Sequence, residues 1–152
     1  MALSPNPFMQ LALEQAHRAA SLGEVPVGAV IVASDGSVLT KAHNLVESTS
    51  DPTAHAELLA IRSACGMLKS PRLVDCDLYV TLEPCAMCAQ AISFARIRRL
   101  YFAAADAKGG GVEHGARVYT QPTCHHAPEV YGGIGEAESA DLLKKFFQSL
   151  RN

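Results

Sequence analysis

Pro84-Cys85-Ala86-Met87-Cys88, with His55-Ala56-Glu57 some way before it in the chain, sets two thiols, an imidazole and a carboxylate at the starts of two expected helices. Two thiols three residues apart on a helix share a face, so Cys85 and Cys88 can reach one metal ion. Pro84 at the first helical position would fix where that helix starts. An imidazole from His55 brings the protein ligands to three, the number that catalytic zinc keeps when its fourth position is left to water; structural zinc usually takes four. Glu57 is then a carboxylate placed to take a proton from that water and pass it on.

The rest of the chain bounds what such a centre can belong to. With 152 residues, 49% hydrophobic and 18% charged, the sequence predicts a single globular domain over 1–152 that buries its core without disulfides. No apolar block is long enough to span a bilayer, so no membrane association is expected. Met1 to Asn6 lacks the basic start and apolar run of a signal peptide, which makes the cytoplasm the expected compartment. Five cysteines there read as metal ligands and buried thiols. A net charge of −2 gives no global attraction to nucleic acid, so an RNA partner would need a local patch.

In chain order, Asn6-Pro7 caps a helix whose apolar residues recur from Phe8 to Ala19 and which ends near Gly23. Val25 to Ala33 and Val38 to His43 predict a hairpin across Ser34-Asp35-Gly36-Ser37. Asn44 to Thr53 reads as a loop, with Asp51-Pro52-Thr53 opening a helix to about Gly66 and His55 and Glu57 in its first turn. Residues two apart on a regular helix face different ways, so His55 and Glu57 share a metal only if the ion sits near the helix end. Leu78 to Leu82 predicts a strand, Pro84 to Phe94 the second chelating helix, and Arg99 to Ala104 a buried strand beside the basic run Arg96, Arg98, Arg99. Asp106 to Gly135 has little pattern beyond Gly109-Gly110-Gly111 and a weak strand at Glu129 to Tyr131; Leu143, Phe146, Phe147 and Leu150 then mark a final helix. Alternating strand and helix favour an α/β sheet covered on both faces.

A Cys-x-x-Cys alone also fits redox centres, structural zinc or two buried thiols. Cys65 lies too far along a helix from His55 to join it as a fourth ligand, about 15 Å of rise. Spacing leaves Cys76 open, while burial is the simpler reading of Cys65, Cys76 and Cys124. The order His-x-Glu then Pro-Cys-x-x-Cys resembles the cytidine deaminase-like zinc enzymes. Pro52-Thr53-Ala54-His55-Ala56-Glu57, Thr81-Leu82-Glu83-Pro84-Cys85-Ala86-Met87-Cys88, Asp106-Ala107-Lys108 and Gly23-Glu24-Val25-Pro26-Val27-Gly28-Ala29-Val30 are similar to the bacterial tRNA adenosine deaminases, over nearly the whole chain.

That resemblance implies a three-layer α/β/α sandwich with a central five-stranded mixed sheet, one Zn²⁺ per chain on His55, Cys85 and Cys88, and Glu57 as proton shuttle. It further implies a homodimer, a tRNA anticodon stem-loop as partner, and conversion of adenosine to inosine at the wobble position. Asn44 would hydrogen-bond the flipped base, Val27 and Leu82 would wall it, and Asp106 would meet the RNA backbone sugars. The end of the chain departs from the family's basic final helix, since Phe146-Phe147 is followed only by Gln148, Ser149, Leu150, Arg151 and Asn152. Phosphate binding should then be thin and rest on residues such as Lys108, Arg96, Arg98, Lys144 and Lys145. His125-His126 reads as a surface pair, with an RNA contact or a second metal site as alternatives. Two further readings of the whole are a deaminase of a free base or nucleoside such as guanine or cytosine, and a non-catalytic zinc-stabilised RNA-binding module.

Overall fold

The computed structural model describes residues 6–151. Of the stretch Met1 to Asn6, expected not to be a signal peptide, only Asn6 lies within them. The elements are α1 (Pro7–Ser21), β1 (Gly28–Val32), β2 (Val38–His43), α2 (Val46–Thr49), α3 (Ala56–Leu68), β3 (Asp77–Leu82), α4 (Ala86–Phe94), β4 (Arg99–Ala104), a 3₁₀ turn at Val118–Thr120, β5 (Glu129–Gly132) and α5 (Glu136–Leu150). The strands form one sheet in the order β2-β1-β3-β4-β5. β1 runs antiparallel to both its neighbours, whereas β3, β4 and β5 are parallel. Short turns allow the antiparallel pair; α4 returns the chain from the end of β3 to the start of β4 and so sets them parallel.

Alternation along the strands builds the two remaining layers. Ala29, Ile31, Leu78, Val80, Leu100 and Phe102 point to one face, where they pack with Ala60 and Ile61 of α3 and Ala89 and Ile92 of α4. Val30, Val32, Tyr79 and Ala103 point to the other, against Met9, Ala12 and Leu13 of α1. α5 closes that second face, and its buried Ser139 hydroxyl donates to the carbonyl of Thr81. The α/β/α sandwich expected from the sequence is therefore present.

Several boundaries differ from the expectation, for reasons that matter at the site. β1 starts at Gly28 rather than Val25, because Pro26 has no N–H for the ladder and the Val27 amide turns back to the Val25 carbonyl at 2.8 Å. Residues 25–27 are thereby free to line a cleft. The expected loop after β2 contains the short helix α2. The third helix starts at Ala56, not near Asp51, since the Asp51 carboxylate accepts from the Thr53 amide and hydroxyl and so closes its own turn. α4 starts at Ala86 with Cys85 as its N-cap, which leaves Pro84 one residue outside the helix rather than at its first position.

Gly28 is where α1 lies directly on the sheet: a Cβ there would collide with the Ala12 carbonyl and the Ala16 amide. Backbone cannot retreat as a flexible side chain does. Gly28→Ala should therefore destabilise the fold by about 1–3 kcal/mol, the usual range for overpacking, read as a lowered denaturant midpoint. An unchanged midpoint would show that α1 shifts freely on β1.

Candidate active site

α3 and α4 both begin at one edge of the sheet, beyond the C-terminal end of β3. His55 and Cys85 are their N-caps, each extended (φ −78°, ψ 148° and φ −69°, ψ 173°), so neither obeys helical spacing. This resolves the difficulty with His55 and Glu57: the imidazole leaves from extended backbone, while Glu57 leaves from the second helical position. His55 Nδ1 lies 3.6 Å from the Sγ of Cys85 and 3.5 Å from that of Cys88. Zinc bonds of about 2.3 Å to sulfur and about 2.0–2.1 Å to nitrogen, at tetrahedral angles, put such atoms about 3.5–3.6 Å apart. The three donor atoms all lie within 4.8 Å of one another, and no fourth His, Cys, Asp or Glu joins them among the described residues. Cys76, left open by spacing, precedes β3 at the opposite end of the sheet.

The charges fit a divalent ion as well as the distances do. Hydrogen bonds from Cys88 and His55 outweigh burial and lower the Cys85 thiol to about 4, while the neighbouring sulfur and burial push Cys88 up. One sulfur ionises at the expense of the other, and a dication between them would let both carry charge. Glu57 is buried at 4% exposure. Burial, with the charge on Cys85 behind it, raises its carboxyl to about 7. Such a group can take up and return a proton near neutral pH.

His55, Glu57 and Cys85 line a cleft of about 420 Å³ with Asn44, Val27, Leu82 and Asp106, the four positions proposed for substrate. Asn44 is fixed by accepting from the Ala56 amide through Oδ1 at 2.8 Å, which leaves its NH₂ as a donor. Asp106 Oδ1 accepts from the Lys108 and Gly109 amides at 3.1 and 2.9 Å, which leaves Oδ2 uncommitted by that turn. A second cavity of about 740 Å³ shares Val25, Leu82, Asp106 and Gly109 with the first and adds Lys108, Phe147 and Arg151.

Other expectations are corrected. Arg98 is bound through Nε and a terminal nitrogen to both oxygens of Asp77, at 3.0 Å each, at the start of β3 and β4, the far end of the sheet from the cleft. It clamps the starts of two neighbouring strands. Lys145 pairs with Asp141 at 2.9 Å. His126 directs Nε2 at the Ile97 carbonyl at 2.7 Å, so His125-His126 is not a free surface pair.

Spacing gave no sign of Glu24 and Glu83, which are 1% and 2% exposed and line the same cleft. Glu24 caps α2, accepting from the Glu47 and Ser48 amides at 3.0 and 2.6 Å and from the Ser48 hydroxyl. α2 buries none of its own side chains, so this cap is its main anchor.

A three-layer α/β/α fold with one imidazole, two thiols and a buried carboxylate at its helix starts defines a zinc-dependent deaminase. The cytidine and deoxycytidylate deaminase zinc-binding region matches residues 4–104. A tRNA-specific adenosine deaminase of Agrobacterium fabrum is 57% identical over 144 residues, covering 95% of this chain and 94% of that one. A solved structure from work on A-to-I editing by tRNA:A34 deaminases at the wobble position is 58% identical with a TM-score of 0.88, covering 90% of this chain and 98% of that one. Guanine deaminase from Bacillus subtilis is 33% identical with a TM-score of 0.65, covering 99% and 95%. The chain belongs to the cytidine deaminase-like zinc family and, within it, to the tRNA-specific adenosine deaminases.

Burial raises the Glu24 pKa, but the Ser48 hydroxyl and the two amides more than reverse this and hold it below the usual 4.5. A lowered folded pKa means that the contribution to α2 is complete above the unfolded value and is lost as pH falls through the folded one. The Ser48 amide signal should therefore titrate with a midpoint below 4.5 in an acid NMR series. A midpoint above 4.5 would mean that the cap is not formed.

Proposed function

We propose that this protein hydrolyses adenosine to inosine at the wobble position of a tRNA anticodon, with one zinc per chain held by His55, Cys85 and Cys88. The observation that carries the proposal is their convergence with buried Glu57 in the cleft that also holds Asn44 and Asp106. Bound there, zinc supplies the Lewis acidity that makes water a nucleophile at neutral pH. The residues do the rest. Val27 and Leu82 give the base apolar walls, the Asn44 NH₂ donates to a ring nitrogen, and Asp106 Oδ2 accepts from ribose. Glu57 takes one proton from the attacking water and delivers it to N1 of the purine, then carries the second, from the hydroxyl newly bonded to C6, to the departing amine. The carbon–nitrogen bond at C6 breaks, so adenosine and water become inosine and ammonia.

Deamination of a free base is the second reading, supported by the likeness to guanine deaminase. Against it stands the second cavity with Lys108 and Arg151, space and charge that a lone base does not need. Offered an anticodon stem-loop beside free adenosine, cytosine and guanine, the protein should release ammonia from the stem-loop. Ammonia from a free base alone would replace the first reading with the second. Glu57→Gln should lower kcat by about 10²–10⁴-fold, with zinc content and melting temperature kept. Full turnover by that variant would remove the shuttle, and a wild type inert on every substrate would leave only a non-catalytic RNA-binding module.

A homodimer is also part of this proposal. Met87 and Phe94, seven residues apart on α4, are 37% and 67% exposed, and a second copy would cover them. Light scattering should give twice 16.1 kDa; a monomer with full activity on RNA would exclude it. The cytoplasm suits the chemistry, because zinc needs both thiols reduced and all five cysteines are free.

A further inference from the structure

The segment after β4 has no core of its own, yet it walls both cavities. It passes Asp106, exposes Ala107, Lys108 and Gly109, and buries Gly110, Gly111 and Val112 before the 3₁₀ turn. What it folds around is the Glu83 carboxylate, whose side chain has no accessible surface. Oε1 accepts from the Asp106 amide at 3.0 Å and faces His114 Nδ1 at 2.7 Å. Oε2 accepts from the amides of Val112, Glu113 and His114 at 3.2, 2.9 and 3.1 Å. At Gly110 there is no room for a Cβ beside this carboxylate, and Gly111 lies against the start of α4 with its amide on the Pro84 carbonyl at 2.8 Å.

Glu83 thus holds the backbone of Asp106 at one oxygen and the base of the loop at the other. We propose that Glu83 is a positioning residue for RNA binding: it sets the loop 105–114 so that Asp106 and Gly109 stand at the right distance from the substrate, without contacting substrate itself. This rests on the RNA deaminase reading. No neutral side chain reproduces the arrangement, because an amide offers one oxygen where five donors converge. Its NH₂ would meet N–H groups, and buried donors left without acceptors cost about 1–3 kcal/mol each.

The experiment compares wild type with Glu83→Gln, Gly110→Ala and His114→Ala on an anticodon stem-loop. It reads kcat and KM separately, zinc per chain, and amide hydrogen exchange. Glu83→Gln should raise KM by about tenfold or more, leave kcat within about threefold and keep zinc stoichiometric. Exchange should speed up at Asp106 and Val112 to His114 but not in α1. Gly110→Ala, which crowds the carboxylate from outside, should raise KM in the same way, and His114→Ala, which removes one donor of five, by less. A merely structural role would lower the melting temperature and the active fraction without moving KM. Unchanged KM in Glu83→Gln overturns the proposal, as does loss of zinc with collapse of kcat, which would place its action on the metal ligands. If Glu83→Gln does not fold, unchanged KM in both other variants overturns it. A wild type inactive on the stem-loop would instead be a failure of the functional reading. The exchange pattern would still show whether Glu83 holds the loop.

Discussion

Two helix N-termini meet at one point, and the chemistry follows from what a helix start requires. The first amides of α3 and α4 lack intrahelical acceptors, and their N-caps, His55 and Cys85, are held in extended conformation just outside the turns. An extended N-cap throws its side chain away from the helix axis. Two of them, on helices covering the same face of the sheet, bring an imidazole and a thiol from distant parts of the chain to 3.6 Å. The positive ends of both helices also favour thiolate over thiol, which is the state a metal needs.

The walls around that point are held by buried carboxylates rather than by apolar packing. α2 hangs on Glu24 and the loop after β4 on Glu83, and each carboxylate is satisfied largely by backbone amides. An unpaired buried charge would be costly, but several N–H donors replace its hydration. The pKa values reflect this. Burial alone would raise Glu83, yet the amides and His114 hold it below the ordinary range, whereas Glu57, with few such donors, is pushed up to about 7. One residue type therefore serves as a fixed anion at the walls and as a proton carrier at the centre.

This division explains what the sequence revealed and what it hid. Cys85 and Cys88, His55 and Glu57 announce themselves by residue type and spacing, and the β-branched runs announce the strands. Glu24 and Glu83 do not, because their partners are backbone amides, which every residue except proline possesses. The helix starts differ from the expectation because Asp51-Pro52-Thr53 and Pro84 are genuine turn signals that act a few residues before α3 and α4 begin. Asn44, at the start of the loop read from sequence, accepts from the first amide of α3, and the same fixation presents its NH₂ to the cleft. In the run Arg96, Arg98, Arg99 the ion pairs are invisible in sequence, since Asp77 and Glu129 engage Arg98 and Arg99 only across the strands.

The disposition of cations then bears on how an RNA would be held. Arg98 and Arg99 are tied to acids at the far end of the sheet and Lys145 to Asp141, whereas Lys108 and Arg151 line the second cavity with no acid within ion-pair distance among the described residues. In a chain of net charge −2, general attraction to a polyanion is weak, and an RNA held by few cations would show a shallow dependence of binding on salt. On the proposed function, affinity would then come from the cleft that Val27, Leu82, Asn44 and Asp106 line. Contacts there weaken sharply with small displacements of the groups that make them. A protein that held RNA through few phosphates would have more reason than a strongly basic one to hold its walls rigidly, and two buried carboxylates that each gather backbone amides would meet that requirement.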